Sequence, residues 1–132
     1  MNEEIKKLIC DKFEEKGYIK YNNMHILELD QDYAKVEAIL DENSMNPNGI
    51  AHGGFIFGLA DTTMGVASST VGRNVCTVNS QIDYLRPGKG TKLIAEAEKI
   101  KVGKTIAVYK CNIYDDQEKL IATATATYFF ID

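Results

Sequence analysis

Residues 46–65 read NPNGIAHGGFIFGLADTTMG, and the reading of that stretch decides the fold. From Asn43 to Gly72 only one of thirty residues, Asp61, carries a full charge, in a chain that is 26% charged overall. From about 53 to 69 the segment is apolar on all sides and rich in small residues: Gly58, Ala60, Gly65, Ala67 and Ser68. Glycine and threonine weaken its intrinsic helix propensity. A helix with apolar residues all round is nevertheless a buried one, and small residues let strands approach its backbone. The same run is a poor membrane span, because Asn, Pro, His, Asp and repeated Gly interrupt it.

On either side of this helix the pattern changes. After Gly72 it switches to period two, which predicts strands near 75–85, 91–102, 105–114 and 119–131. RPGKG at 86–90, Gly103-Lys104 and DDQE at 115–118 supply the breaks. In LIATATATYFF, Ala122, Ala124 and Ala126 share one face while Thr123, Thr125 and Thr127 share the other. Alanines on the inner face leave room for a bulky neighbour, and the central helix is the natural one. Upstream, strands are expected over 24–30 and 33–40, with Asp30-Gln31-Asp32 as the turn. Ala34, Val36, Ala38 and Leu40 form the apolar face of the second. Residues 2–16 read as a surface helix. Asn2 caps it, Glu3 and Glu4 suit its positive end, Gly17 stops it, and Ile5, Leu8, Ile9 and Phe13 form one apolar stripe. The fold class is α+β: one long, curved antiparallel sheet wrapped around a buried helix, with an extra N-terminal helix. All 132 residues are expected to form one domain.

Bulk properties exclude several functions. A net charge of −4 disfavours nucleic acid as a partner. Residues 86–104 hold six basic and two acidic residues, a local balance of +4 that could meet a small anion. Cys10, Cys76 and Cys111 are scattered with no C-x-x-C pair, which fits a reducing cytoplasm. His25 and His52 have no metal-ligand neighbours at usable spacing, so no metal site is expected. MNEEIKKLIC lacks a signal peptide's apolar core. The expectation is a cytoplasmic protein with no membrane partner.

Asn46, Gly49, HGG at 52–54, LAD at 59–61 and YLRPG at 84–88, in that order and spacing, resemble the hotdog-fold acyl-CoA thioesterases of the phenylacetate-pathway (PaaI-like) type. The resemblance covers roughly residues 24–131. It implies the hotdog fold, a thioester-hydrolysing site, and homo-oligomers that are dimers or dimers of dimers. It implies no cofactor beyond the coenzyme A carried by the substrate. Through the resemblance Thr77 becomes a candidate for the hydroxyl near the attacking water.

The chemistry can be argued from the residues as well. Thioester cleavage needs attack on a carbonyl and stabilisation of the resulting oxyanion. Gly53 and Gly54 fall at the start of the central helix, where amides lack intrahelical acceptors and the dipole favours negative charge. Gly53 N–H is the expected oxyanion donor, with Gly54 beside the substrate. A lone carboxylate among apolar residues resists ionisation, and its presence makes sense if Asp61 works as a nucleophile or as a general base. Eight helical residues separate Gly53 from Asp61, roughly 12 Å along the axis, so one chain cannot easily bring both to one carbon. Asp61 is expected to act with Gly53 of another subunit. Asn46 either orients water or the thioester oxygen, or serves as a turn residue before Pro47. His52 holds the loop or the substrate and is not the expected base. Arg86, Lys89 and Lys92 are candidates for the coenzyme A phosphates. Phe55, Phe57, Met64 and Tyr84 are candidates for an acyl pocket. The alternatives are a hotdog module that binds acyl-CoA without chemistry, or a hotdog dehydratase or hydratase, although the H-F-P context of the carrier-protein dehydratases is missing.

Overall fold

The computed structural model describes residues 1–132. Its elements run α1 (Glu3–Glu14), α2 (Tyr18–Tyr21), β1 (Met24–Asp30), β2 (Tyr33–Ile39), α3 (Gly53–Ser69), β3 (Val75–Tyr84), β4 (Lys92–Val102), β5 (Ile106–Asp115) and β6 (Leu120–Phe130). All six strands form one antiparallel sheet in the order β1-β2-β4-β5-β6-β3. The chain passes over the sheet through α3 and returns as β3 on the far edge.

α3 packs against every one of the six strands. Five inter-strand spacings of about 4.8 Å make the sheet roughly 24 Å wide, against a helix about 10–12 Å across. A flat sheet could not touch the helix along its whole width, so this one curls round it. The curl depends on small residues across the concave face. Ala34 pairs with Ala97, Ala97 with Cys111, and Cys111 with Ala124. All four are buried, and so are Leu59 and Met64, large side chains of the helix that the sheet covers. The alternation in β6 is as its sequence reads: Ala122, Ala124 and Ala126 are at most 4% exposed, while the intervening threonines are half-buried on the outer face. Buried hydroxyls of α3 and its C-cap are satisfied locally, with Thr63 Oγ1 donating to the Leu59 carbonyl at 2.7 Å and the C-cap Thr70 Oγ1 to that of Ala67 at 2.8 Å.

The N-terminal region differs from its sequence reading in two ways. Asn2 does cap α1, its Oδ1 accepting from Glu4 N and Ile5 N. The stripe is only half engaged, however: Ile9 and Phe13 pack on the core, whereas Ile5 and Leu8 are 47% and 64% exposed. Gly17 does more than stop α1. Its φ of 91° and ψ of −154° turn the chain directly into the short helix α2, and the buried Ile19 pins that turn to the body.

α3 also departs from the expectation of a helix buried on all sides. Phe57, Gly58, Thr62 and Gly65 are half-buried and Asp61 is exposed, so one face stays open in the single chain. Sheet strands can cover only the side of a helix that they face.

Candidate active site

The site is built from α3 outward. At its N-terminus His52 is the capping residue, and its Nδ1 accepts from Gly54 N at 2.8 Å. An accepting Nδ1 puts the proton of a neutral imidazole on Nε2. Ile56 N donates to the His52 carbonyl at 3.0 Å, leaving Gly53 N–H with no acceptor within the chain. Tyr84, at the end of β3, donates its hydroxyl to the Gly53 carbonyl at 2.7 Å. The peptide that follows Gly53 is thus anchored while its own amide stays free.

Asn46 sits in the loop before α3 and folds that loop on itself. Its Oδ1 accepts from Asn48 N at 2.9 Å and Ile50 N at 3.4 Å, and its own N–H donates to the Ile50 carbonyl. Both turn duty and an unengaged Nδ2 follow from this arrangement. Asn46, Gly53, Ile56, Tyr84 and Arg86 line one open cavity of about 360 Å³. Arg86 continues into a second, also about 360 Å³, together with Lys89 and the 115–119 turn. Asp116 there is already engaged: its carboxylate accepts from the Thr91 amide and hydroxyl, and those bonds hold its pKa below the usual carboxylate value.

Asp61 opens elsewhere. It lines a cavity of about 370 Å³ with Thr62, Thr77, Tyr18 and Tyr128. The surroundings crowd out enough water to raise its carboxyl pKa above the ordinary value, and desolvation is the only cause. This holds even though the side chain is exposed by area in the single chain, because a carboxylate senses the protein mass around it and not only its own accessible surface. Tyr128 Oη, opposite Thr77 in the β3–β6 register, donates to the Asp61 carbonyl at 3.5 Å. Larger hollows of about 480 and 510 Å³ lie by β1 and by the 41–44 loop, the second also lined by Phe55 of α3.

The sequence candidates therefore fall into two groups on one helix: Asn46, His52, Gly53, Gly54 and Arg86 at its N-terminal end, and Asp61 with Thr77 two turns further on. The +4 stretch is not one surface. Lys92 pairs with Glu37 at 3.7 Å and Lys99 with Asp32 at 3.6 Å, at opposite ends of β4. Met64 is fully buried in the core and lines none of these cavities. Tyr18 and Tyr128 were invisible to motif reading, because nothing in local periodicity says that the N-terminal turn and the last strand converge on α3.

The model of the thioesterase superfamily matches residues 48–122, which include the Gly53 turn, all of α3 and β3. The chain belongs to that superfamily. It is a hotdog-fold thioester hydrolase of the PaaI-like type. It is 34% identical over 108 residues to a putative esterase of Archaeoglobus fulgidus, covering 81% of this chain and 70% of that one. It is 32% identical to the acyl-coenzyme A thioesterase PaaI of Escherichia coli, covering 83% and 79%. The structure of the PaaI protein of the E. coli phenylacetic acid degradation operon superposes with a TM-score of 0.88, covering 92% of this chain and 88% of that one. A hypothetical thioesterase protein of Streptococcus pneumoniae with coenzyme A superposes at 0.80, with 29% identity, covering 83% and 86%. No helix of this thioesterase is long and apolar enough to cross a membrane.

Proposed function

We propose that this thioesterase hydrolyses acyl-CoA to a free carboxylic acid and coenzyme A, at a site shared by two copies of the chain. Asp61 of one copy acts as nucleophile or general base, and Gly53 N–H of the other stabilises the oxyanion. One observation carries the reading. Gly53 and Asp61 stand on a single continuous helix, roughly 12 Å apart along its axis, and open into different cavities.

Each copy thus offers two half-sites. The outer edge of β3 is unpaired over ten residues, with Val78 62% exposed. An open edge is a template for another strand. Two β3 edges joined about a two-fold axis normal to the sheet would run the two α3 helices antiparallel, with the Gly53 end of one beside the Asp61 segment of the other.

As a general base, Asp61 takes a proton from water, whose hydroxyl adds to the thioester carbon; the C–S bond then breaks and the thiolate leaves. As a nucleophile, its carboxylate oxygen adds instead, giving a mixed anhydride that water hydrolyses. In both routes the negative charge on the carbonyl oxygen lands on the free Gly53 amide, which the His52 cap and Tyr84 hold in place. The raised pKa of Asp61 makes its carboxylate a stronger proton acceptor than a fully solvated one. Asn46 Nδ2 would orient the thioester oxygen or the water, and the Thr77 hydroxyl would hold the water at Asp61. Gly54 leaves space beside the substrate. Arg86 and Lys89, exposed cations without an ion pair, would meet the nucleotide phosphates. Coenzyme A as carrier is favoured by the names of the relatives.

The test is thiol release from acyl-CoA. Asp61→Asn is expected to lose about 10²–10⁴-fold in kcat while keeping fold and acyl-CoA binding. Near-normal release by that variant would reject the proposal. Formation of an enoyl product from a hydroxyacyl thioester, without free thiol, would favour a dehydratase.

A further inference from the structure

Half of the lining of the Asp61 cavity comes from the chain ahead of the stretch that matches the superfamily: Lys12, Phe13, Lys16, Tyr18 and Ile19 all precede residue 48. This wall is firmly placed. Phe13 packs on the core, Ile19 is 3% exposed, and the left-handed Gly17 aims Tyr18 back over α3.

The Tyr18 ring lies over Gly58, where a Cβ would fall 3.0 Å from the ring Cζ and nearer still to the hydroxyl. Gly58 is one helical turn before Asp61, on the same face. One turn beyond Asp61 is Gly65, whose Cβ position is 4.0 Å from Tyr128 Oη. The open face of α3 therefore has a carboxylate at its centre, a glycine one turn to either side, and a tyrosine set over each glycine. Tyr128 is buried and belongs to the core, but Tyr18 is 52% exposed. A half-exposed ring held over a glycine contributes little to core packing and instead bounds the space beside the carboxylate.

We infer that Tyr18 is a specificity-determining residue that closes one end of the acyl groove beside Asp61 and limits the length of the acyl group hydrolysed. The inference rests on the Asp61 reading above. With the thioester carbon at Asp61, an acyl tail that runs along α3 toward its N-terminus meets the Tyr18 ring at Gly58, one turn away. Longer tails collide with the ring, and removing it opens the groove toward Lys16 and solvent.

The experiment measures kcat/KM by thiol release over straight-chain acyl-CoA from butyryl to myristoyl, in wild type, Tyr18→Ala, Tyr18→Phe, Tyr18→Trp and Asp61→Asn. One methylene accepted or refused by an apolar pocket is worth roughly 10–200-fold. Tyr18→Ala is expected to raise the long-to-short kcat/KM ratio by about tenfold or more, and Tyr18→Trp to lower it. Tyr18→Phe, which keeps the ring and loses only the hydroxyl seated over Gly58, should shift the profile far less than Tyr18→Ala. A purely structural tyrosine would change melting temperature without moving the profile in opposite directions. Unchanged profiles in both the Ala and Trp variants, with Asp61→Asn inactive, overturn the inference and leave the Asp61 reading standing. Full turnover by Asp61→Asn overturns that reading and the inference with it.

Discussion

Mixing two dead variants gives a quantitative test of the shared site. Asp61→Asn removes the acid, and Gly53→Val blocks the amide while leaving the backbone unstrained: a Cβ at Gly53 lies 3.5 Å from Tyr84 Oη, an ordinary contact, and only the added branches crowd the oxyanion position. Each variant alone should be inactive. After equal amounts exchange subunits, about half of the dimers carry one chain of each kind, as expected for a two-fold pair. In such a dimer one site draws Asp61 from the Gly53→Val chain and Gly53 from the Asp61→Asn chain, so it is intact; the other site lacks both groups. Half of the dimers with half of their sites working gives about one quarter of wild-type activity per chain. A site confined to one chain predicts none, since every chain is then defective. The assay is thiol release after mixing, with exchange followed by a size-tagged copy. Activity that stays at the level of the separate variants despite full exchange would refute the roughly 12 Å argument along α3 on which the shared site stands.

Three further outcomes follow from the same coordinates. Desolvation raises the Asp61 pKa in the folded state, so the folded chain holds its proton to higher pH than the unfolded one. Stability is therefore lost as pH rises from the unfolded to the folded value, and Asp61→Asn should melt at or above wild type near neutrality, with the difference vanishing in acid; a lower melting temperature at neutral pH would contradict this. Tyr84→Phe removes the 2.7 Å bond to the Gly53 carbonyl and should cost about 0.5–1.5 kcal/mol or less at this exposed position, with kcat falling more than KM changes. Ala124→Leu, on the concave face under α3, should destabilise by about 1–3 kcal/mol through overpacking, measured by chemical denaturation, whereas Thr125→Leu on the outer face should cost far less.

Much of the fold was legible because its determinants are local and periodic. The alanine–threonine alternation of β6, the two-residue period after Gly72 and the turns at 86–90, 103–104 and 115–118 each name an element without reference to the rest of the chain. The apolar 53–69 run identified α3 for the same reason. Half of the candidate site was legible too, since HGG at a helix start and a lone Asp61 carry their chemistry in residue type and spacing.

What the amino-acid sequence could not decide was which side of α3 the sheet leaves open. Hydropathy averages over all faces of a helix, so it set Asp61 among apolar neighbours in sequence, whereas packing turns those neighbours inward and Asp61 outward. Likewise the run of positive residues along β4 was one patch on paper and two separated ion pairs in space. Tyr18, Tyr84 and Tyr128 reach α3 from segments tens of residues away in sequence, and only chain crossing brings them there. Local physics writes the elements into the sequence; contacts between distant segments, which no local pattern encodes, decide what surrounds the carboxylate.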